Sequence, residues 1–201
     1  GVFSVLQSRA HYSWATALSG SMKDDFRYLP SDCFDNFPFP GNLGEQLANL
    51  GEEYYEFRKE VMSSNAQGLT KTYSRFHDPD ESSLEIKKLR ELHDEMDRAV
   101  LRAYGWDDLA EKATCEFLLD YEEENDDPAA KKSKKKKPWR YRWPDEFRDE
   151  VLARLLELNE KRAMEEKLAG KAAEAQAKKS AGSNSKGRKS SKMQQPGLFK
   201  E

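Results

Sequence analysis

Apolar positions at the start of the chain recur at three- and four-residue steps: Phe3, Leu6, Ala10, Trp14 and Leu18. That spacing lines one face of a helix and predicts a helix to about Ser19, ended at Gly20. Asp25-Phe26-Arg27-Tyr28-Leu29 alternates polar and apolar, the pattern of a short strand. Pro30, Pro38 and Pro40 each fix their own backbone angle and restrict the residue before them. They predict an extended exit that finishes on Phe37-Pro38-Phe39-Pro40.

From Leu43 to Leu119 the period is helical. Leu47, Leu50, Tyr54, Phe57 and Val61 form one stripe, ended or interrupted at Gly68. A short helix is expected from Leu69 to His77, closed by Asp78-Pro79. Ser82 or Ser83 is placed to cap the next helix, and Glu85 in its first turn suits the positive end of the helix dipole. Ile86, Leu89, His93, Met96 and Val100 line that helix, and Gly105 is placed to stop it. Order is expected to resume at Pro138 with Trp139-Arg140-Tyr141-Arg142-Trp143-Pro144. Behind an N-cap at Asp145 comes a further stripe of Phe147, Val151, Leu155 and Leu158. After about Ala169 the sequence is Ala, Lys, Ser and Gly, the composition of a disordered basic tail.

The net charge of −3 hides segregation: 116–127 is acidic, 131–142 basic, and the end from Lys171 basic again. The acidic-to-basic exchange across Pro128 cannot bury apolar surface and predicts a solvated linker. Aromatics are numerous, with 4 Trp, 8 Tyr and 10 Phe, and most precede residue 148, which argues for order there. Two cysteines, Cys33 and Cys115, exclude a zinc site built on paired thiolates; a single disulfide stays open, and reduced thiols in a cytoplasmic setting are the favoured expectation. No apolar run approaches the roughly 20 residues that span a bilayer, so no membrane partner is expected.

Catalytic chemistry needs converging groups, and few converge here. His11, His77 and His93 have no helical-turn partner among themselves, and His93 falls on an apolar stripe, the place of a hydrogen-bonded core histidine. Glu52, Glu53, Glu56 and Glu60 read as a solvated helix face. No phosphate-cradling glycine loop and no zinc-binding HExxH appears. No catalytic, cofactor-binding or metal residue is therefore assigned. The basic positions carry more. Lysines release counterions on neutralising phosphate, and Arg140 and Arg142 alternate with three rings. In an extended segment that alternation would put cations on one side and rings on the other. The rings could anchor to a core or stack on unpaired bases.

Taken in order, several stretches resemble one family. Ser4-Val5-Leu6-Gln7-Ser8-Arg9-Ala10-His11-Tyr12-Ser13-Trp14, Arg27-Tyr28 and Phe37-Pro38-Phe39-Pro40 resemble the end of the target-recognition domain in large single-chain DNA methyltransferases. These are restriction–modification enzymes of the MmeI kind. Leu69-Thr70-Lys71-Thr72-Tyr73, Phe76-His77-Asp78-Pro79, Leu89-Arg90-Glu91-Leu92-His93 through Asp97, and Ala103-Tyr104-Gly105-Trp106 are similar to the helical domain that follows. Arg140-Tyr141-Arg142-Trp143-Pro144 resembles the C-terminal extension of many members. The family's catalytic Asn/Asp-Pro-Pro-Tyr/Phe motif and its glycine-containing cofactor loop are absent from this sequence.

The resemblance implies the C-terminal portion of an adenine-N6 methyltransferase that uses S-adenosylmethionine, with cofactor and chemistry in a preceding domain. A chain opening on an amphipathic helix with no initiator Met fits that expectation. The implied fold is mainly α: the end of a recognition domain (residues 1–40, a helix plus a short strand) and a small helical domain (43–119). A charged linker (120–137), a C-terminal helical extension (138–169) and a disordered basic tail (170–201) complete it. Implied partners are double-stranded DNA and the methyltransferase domain. Lys71, Arg75, Lys134, Lys135, Lys136, Lys137, Arg140 and Arg142 are the candidate DNA contacts. A non-enzymatic helical module that binds protein is the other class left open.

Overall fold

The computed structural model describes residues 1–19, 27–119 and 138–186, and the chain divides into two compact units, Gly1–Asn159 and Glu160–Glu201. Its architecture is mainly α, with eight helices and one two-stranded sheet among the described residues.

Residues 2–18 form two helices rather than one: α1 (Val2–Gln7) and α2 (Arg9–Leu18). Ser8 between them is extended, and its hydroxyl accepts from the His11 backbone N–H at 3.3 Å, capping α2. The break resets the helical phase. Val5, Ala10 and Trp14 are buried, whereas Phe3 and Leu18, expected on the same face, are exposed. Of the expected strand, Asp25 and Phe26 lie outside the described residues, and 27–29 are neither helix nor strand. Pro30 does not continue an extended run but opens a short helix, α3 (Pro30–Cys33). Its missing N–H costs nothing in a first turn. Phe37 then enters the core, edge-on to His11, Trp14 and Phe39.

The next helices follow their stripes: α4 (Glu45–Ser64), α5 (Leu69–Phe76) and α6 (Leu84–Ala103). Contact between α1 and α4 is close at Gly51, where any Cβ would lie 2.2 Å from Ser4 Oγ. Gly105, at φ +79°, ends α6: its N–H donates to Arg102 and that of Trp106 to Leu101, the Schellman pattern. A short α7 (Asp107–Lys112) follows. Residues 116–119, expected at the end of the helical stretch, form strand β1 (Glu116–Leu119) instead. It pairs antiparallel with β2 (Trp139–Arg142), Phe117 opposite Tyr141 and Leu119 opposite Trp139. Phe117, Leu118 and Leu119 suit a pleated half-buried surface, and the partner strand supplies what the local pattern could not show.

Helix α8 (Asp145–Lys186) opens behind Pro144, whose carbonyl accepts from Arg148 N. Within the first unit one core joins Val5, Trp14, Leu47, Val100, Leu109, Trp143, Val151 and Leu155. A second gathers Tyr54, Phe76, Leu89, Leu92 and Met96, with Tyr141 against it. Each such side chain contributes on the order of 1.5–3 kcal/mol by leaving water. The second unit carries the far part of α8, where Met164 and Leu168 are exposed. Of the tail expected to be disordered over 170–201, residues 170–186 continue α8 instead, and 187–201 lie outside the described residues, as does the charged linker of 120–137.

Candidate nucleic-acid interface

Helix α2 is fixed by a buried ionic network. The Arg9 backbone N–H donates to Asp97 Oδ1 at 2.8 Å, and its Nη1 donates to Asp97 Oδ2, to Asp94 Oδ1 at 2.9 Å and to His93 Nδ1 at 2.9 Å. Asp97 thus places negative charge at the α2 N-terminus, where the helix dipole favours it. Burial alone would raise the Asp97 carboxyl. The Arg9 charge, His93 and the Arg9 N–H outweigh burial and hold it below the usual range. Tyr141 Oη donates to Asp94 Oδ2 at 2.6 Å, tying β2 into the same cluster. His93, Asp94 and Asp97 have the spacing of a metal site. Their donor atoms instead surround a guanidinium, which takes the position a cation would fill.

Around this network opens a cleft of about 890 Å³. Arg9, His11, Tyr12 and Ser13 of α2 line it, with Tyr28, Tyr73 and His77. Arg140–Trp143 and the start of α8 (Arg148, Asp149, Leu152) complete the lining. Rings and cations dominate. The carboxylate that lines it, Asp149, is paired with Arg148 Nη2 at 2.7 Å.

The two histidines at its edge are neutral at pH 7. Burial lowers His11 to about 4, and its Nε2 lies 3.2 Å from Tyr28 Oη. Burial, then the charges of Arg140 and Arg9, lower His77 to about 4. The backbone N–H of Tyr141 donates to His77 Nδ1 at 3.1 Å. An N–H can only donate, so the ring's own proton sits on Nε2.

The candidate contacts separate accordingly. Arg140 and Arg142 line the cleft; Lys71 and Arg75 do not. Lys71 is exposed on α5. Arg75 is engaged by Glu81 at 2.6 Å and Glu85 at 2.8 Å, and Arg142 donates to Asp145 at 2.5 Å. Lys134, Lys135, Lys136 and Lys137 lie outside the described residues. Two of the three rings of 139–143 serve packing: Trp143 is buried and Tyr141 sits against the second core, while Trp139 is exposed. Sequence reasoning missed Arg9, Asp94 and Asp97. Their one local signal was position: a polar residue just behind a capping serine, and two carboxylates one turn apart beside an apolar stripe.

A mainly α protein with a cation- and ring-lined cleft is the class that fold and site define. Residues 1–41 match the family model described as MmeI, target recognition domain. Over 100 residues the chain is 30% identical to DNA methyltransferase A of Bacillus subtilis (strain 168), a stretch covering 50% of this chain and 10% of that protein. The match thus spans a tenth of the relative's length. No solved structure matches the chain. One partial match thus points to a recognition domain of the MmeI kind and the other to a DNA methyltransferase, and together they support a distant relation to that group. No helix among the described residues is long and apolar enough to cross a membrane.

Proposed function

We propose that this chain is the C-terminal portion of a site-specific adenine-N6 DNA methyltransferase, and that it holds and helps to read duplex DNA rather than doing chemistry. The observation that carries this reading is where the recognition-domain match falls. It covers α1 to α3, and α2 is the helix that Arg9 clamps to α6 and that lines the cationic cleft. S-adenosylmethionine and the catalytic motif belong to a methyltransferase domain upstream, which is this portion's protein partner. In this reading residues 1–40 close the recognition domain, 43–119 form the helical domain, and 138–169 extend it beyond a charged linker. The tail from 170 adds basic charge.

Lys71 and the Lys134–Lys137 run supply phosphate contacts, and Arg75, Arg140 and Arg142 add positive charge beside them. Duplex affinity of the 201-residue chain should fall as salt rises, with a slope that grows with each phosphate neutralised. The test is fluorescence anisotropy with a labelled duplex between low and physiological salt. Replacing Lys134, Lys135, Lys136 and Lys137 with Glu should weaken binding by tenfold or more and flatten the slope. Unchanged affinity and slope would sink the assignment.

A further inference from the structure

We propose that Arg58 is a phosphate-contact residue for duplex DNA: its guanidinium, braced at the edge of the cleft by Gln7 and Tyr73, meets the sugar–phosphate backbone through its Nε and Nη2 side. The inference deepens the DNA-binding reading and rests on it.

Three observations converge. First, Arg58 carries a charge that meets no counter-charge. Its Nη1 donates to Gln7 Oε1 at 3.0 Å and to Tyr73 Oη at 3.1 Å, and the guanidinium lies 5.4 and 5.8 Å from the Tyr54 and Tyr55 ring centroids. These partners are an amide, a hydroxyl and two rings, and no carboxylate among the described residues pairs with it. Arg9, Arg75 and Arg154, by contrast, each meet two carboxylates. Second, the bonds fall on one corner of the guanidinium and leave its fork open. Nε and Nη2 form no hydrogen bond among the described residues, and in this half-buried side chain neither nitrogen is sealed from solvent. Those N–H groups point the same way from a planar guanidinium and match two oxygens of one phosphate. A fork already held on its other side loses little freedom on binding. Third, Gln7 and Tyr73 line the cleft, so Arg58 stands at its edge, against the α1 helix of the recognition-domain match. The carboxylates of its own helix, Glu52, Glu53, Glu56 and Glu60, lie about 120–160° round α4 from it, at 3.6 residues per turn. A duplex that reaches Arg58 from the α1 side therefore avoids them.

The experiment is fluorescence anisotropy with a labelled duplex, run on the 201-residue chain across a salt series. Arg58→Ala should weaken binding about tenfold and make the salt slope shallower by about 1, the counterion release of one phosphate. The loss should be equal on duplexes of unrelated sequence, since a phosphate contact carries no base information. Arg58→Lys keeps the charge without the fork, and should keep the slope while losing about threefold in affinity. Lys59→Ala, the next residue of α4 and paired with Glu56 at 2.9 Å, should leave affinity and slope unchanged. If Arg58→Ala does not melt cooperatively, Arg58→Met, which keeps the packed stem, takes its place. Affinity and slope that survive loss of the guanidinium overturn the assignment. A loss confined to one duplex sequence, or one that Lys59→Ala reproduces, overturns it as well. Absence of duplex binding by the unmutated chain overturns the DNA-binding reading together with this one, and is thereby told apart from a failure at Arg58 alone.

Discussion

Two buried arginines hold this molecule together in opposite ways. Arg9 is held through Nη1 by side chains of α6 84 to 88 residues away, the His93 ring and the Asp94 and Asp97 carboxylates, which must be charged to serve it. Arg90 is satisfied locally by backbone: its guanidinium donates to the carbonyls of Phe76 at 2.9 Å, Asp78 at 2.8 Å, Arg75 at 3.1 Å and Glu81 at 3.2 Å. These carbonyls belong to the end of α5 and the turn that follows. Arg90 therefore acts as a C-terminal cap for α5, a role basic side chains suit. The difference is one of reach. Arg90 shapes a turn that its own neighbourhood already favours, whereas Arg9 sets how the recognition-like helix α2 lies on the rest of the first unit.

The sharpest way to break that contrast is Asp97→Ala. It strands the Arg9 guanidinium with half its counter-charge and removes the acceptor of the Arg9 backbone N–H, and should cost about 3–5 kcal/mol in urea unfolding. A loss below about 1 kcal/mol would show that Asp94 alone suffices. The double variant Arg9→Met with Asp97→Leu should be milder than Asp97→Ala, because the two most buried charges leave together and Asp94 keeps its bond from the Tyr141 hydroxyl. Arg90→Met comes next, at about 2–3 kcal/mol, since several carbonyls lose a donor but some can turn to water. Its effect should show in hydrogen exchange at α5 and the following turn, with α2 protection unchanged. Spread of the loss into α2 would mean the two regions are not separable.

A pH titration probes both regions together, with His11 near one and His77 near the other. Folded, both sit at about 4, and unfolding returns each to about 6.5. Between those values the unfolded chain binds more protons, so stability falls as pH drops from 6.5 to 4 and returns as it rises. Linkage would give about 3 kcal/mol per ring, and because both rings keep contact with solvent the expected loss is discounted to about 2 kcal/mol in all, read as a falling urea midpoint. A flat midpoint across that window would place both rings in water. Smallest is Tyr73→Phe, which removes the 2.6 Å bond between the Tyr73 and Tyr54 hydroxyls and should cost about 1 kcal/mol.

Much of the helical frame was legible because it repeats locally. The stripes of α4, α6 and α8 put Leu47, Tyr54, Leu89, Met96, Val151 and Leu155 in a core, and Gly105 stops α6 as its lack of a Cβ allows. The failures have a common cause in long-range partners. Ser8 breaks a helix whose apolar spacing runs straight through it, because its capping bond and the Asp97 carboxylate outweigh one more turn of continuity. Strand β1 owes its form to β2, twenty-odd residues on. Arg140 and Arg142 were legible as a basic, ring-interleaved pair, and the cleft they line was not, since its other walls come from α2 and the end of α5. Charge alone could not show that Arg75 is held by two glutamates.

The pairing of Leu119 with Trp139 has a consequence for how such a chain can change over time. Whatever lies between them, the two ends of residues 120–138 are brought side by side by the ladder. Each doubling of such a connection costs only about 0.6 kcal/mol in closure entropy. In closure entropy, then, length at this point is only lightly constrained while the β1–β2 register is kept. The paired strands thus make a place where a longer or shorter connection costs the scaffold little.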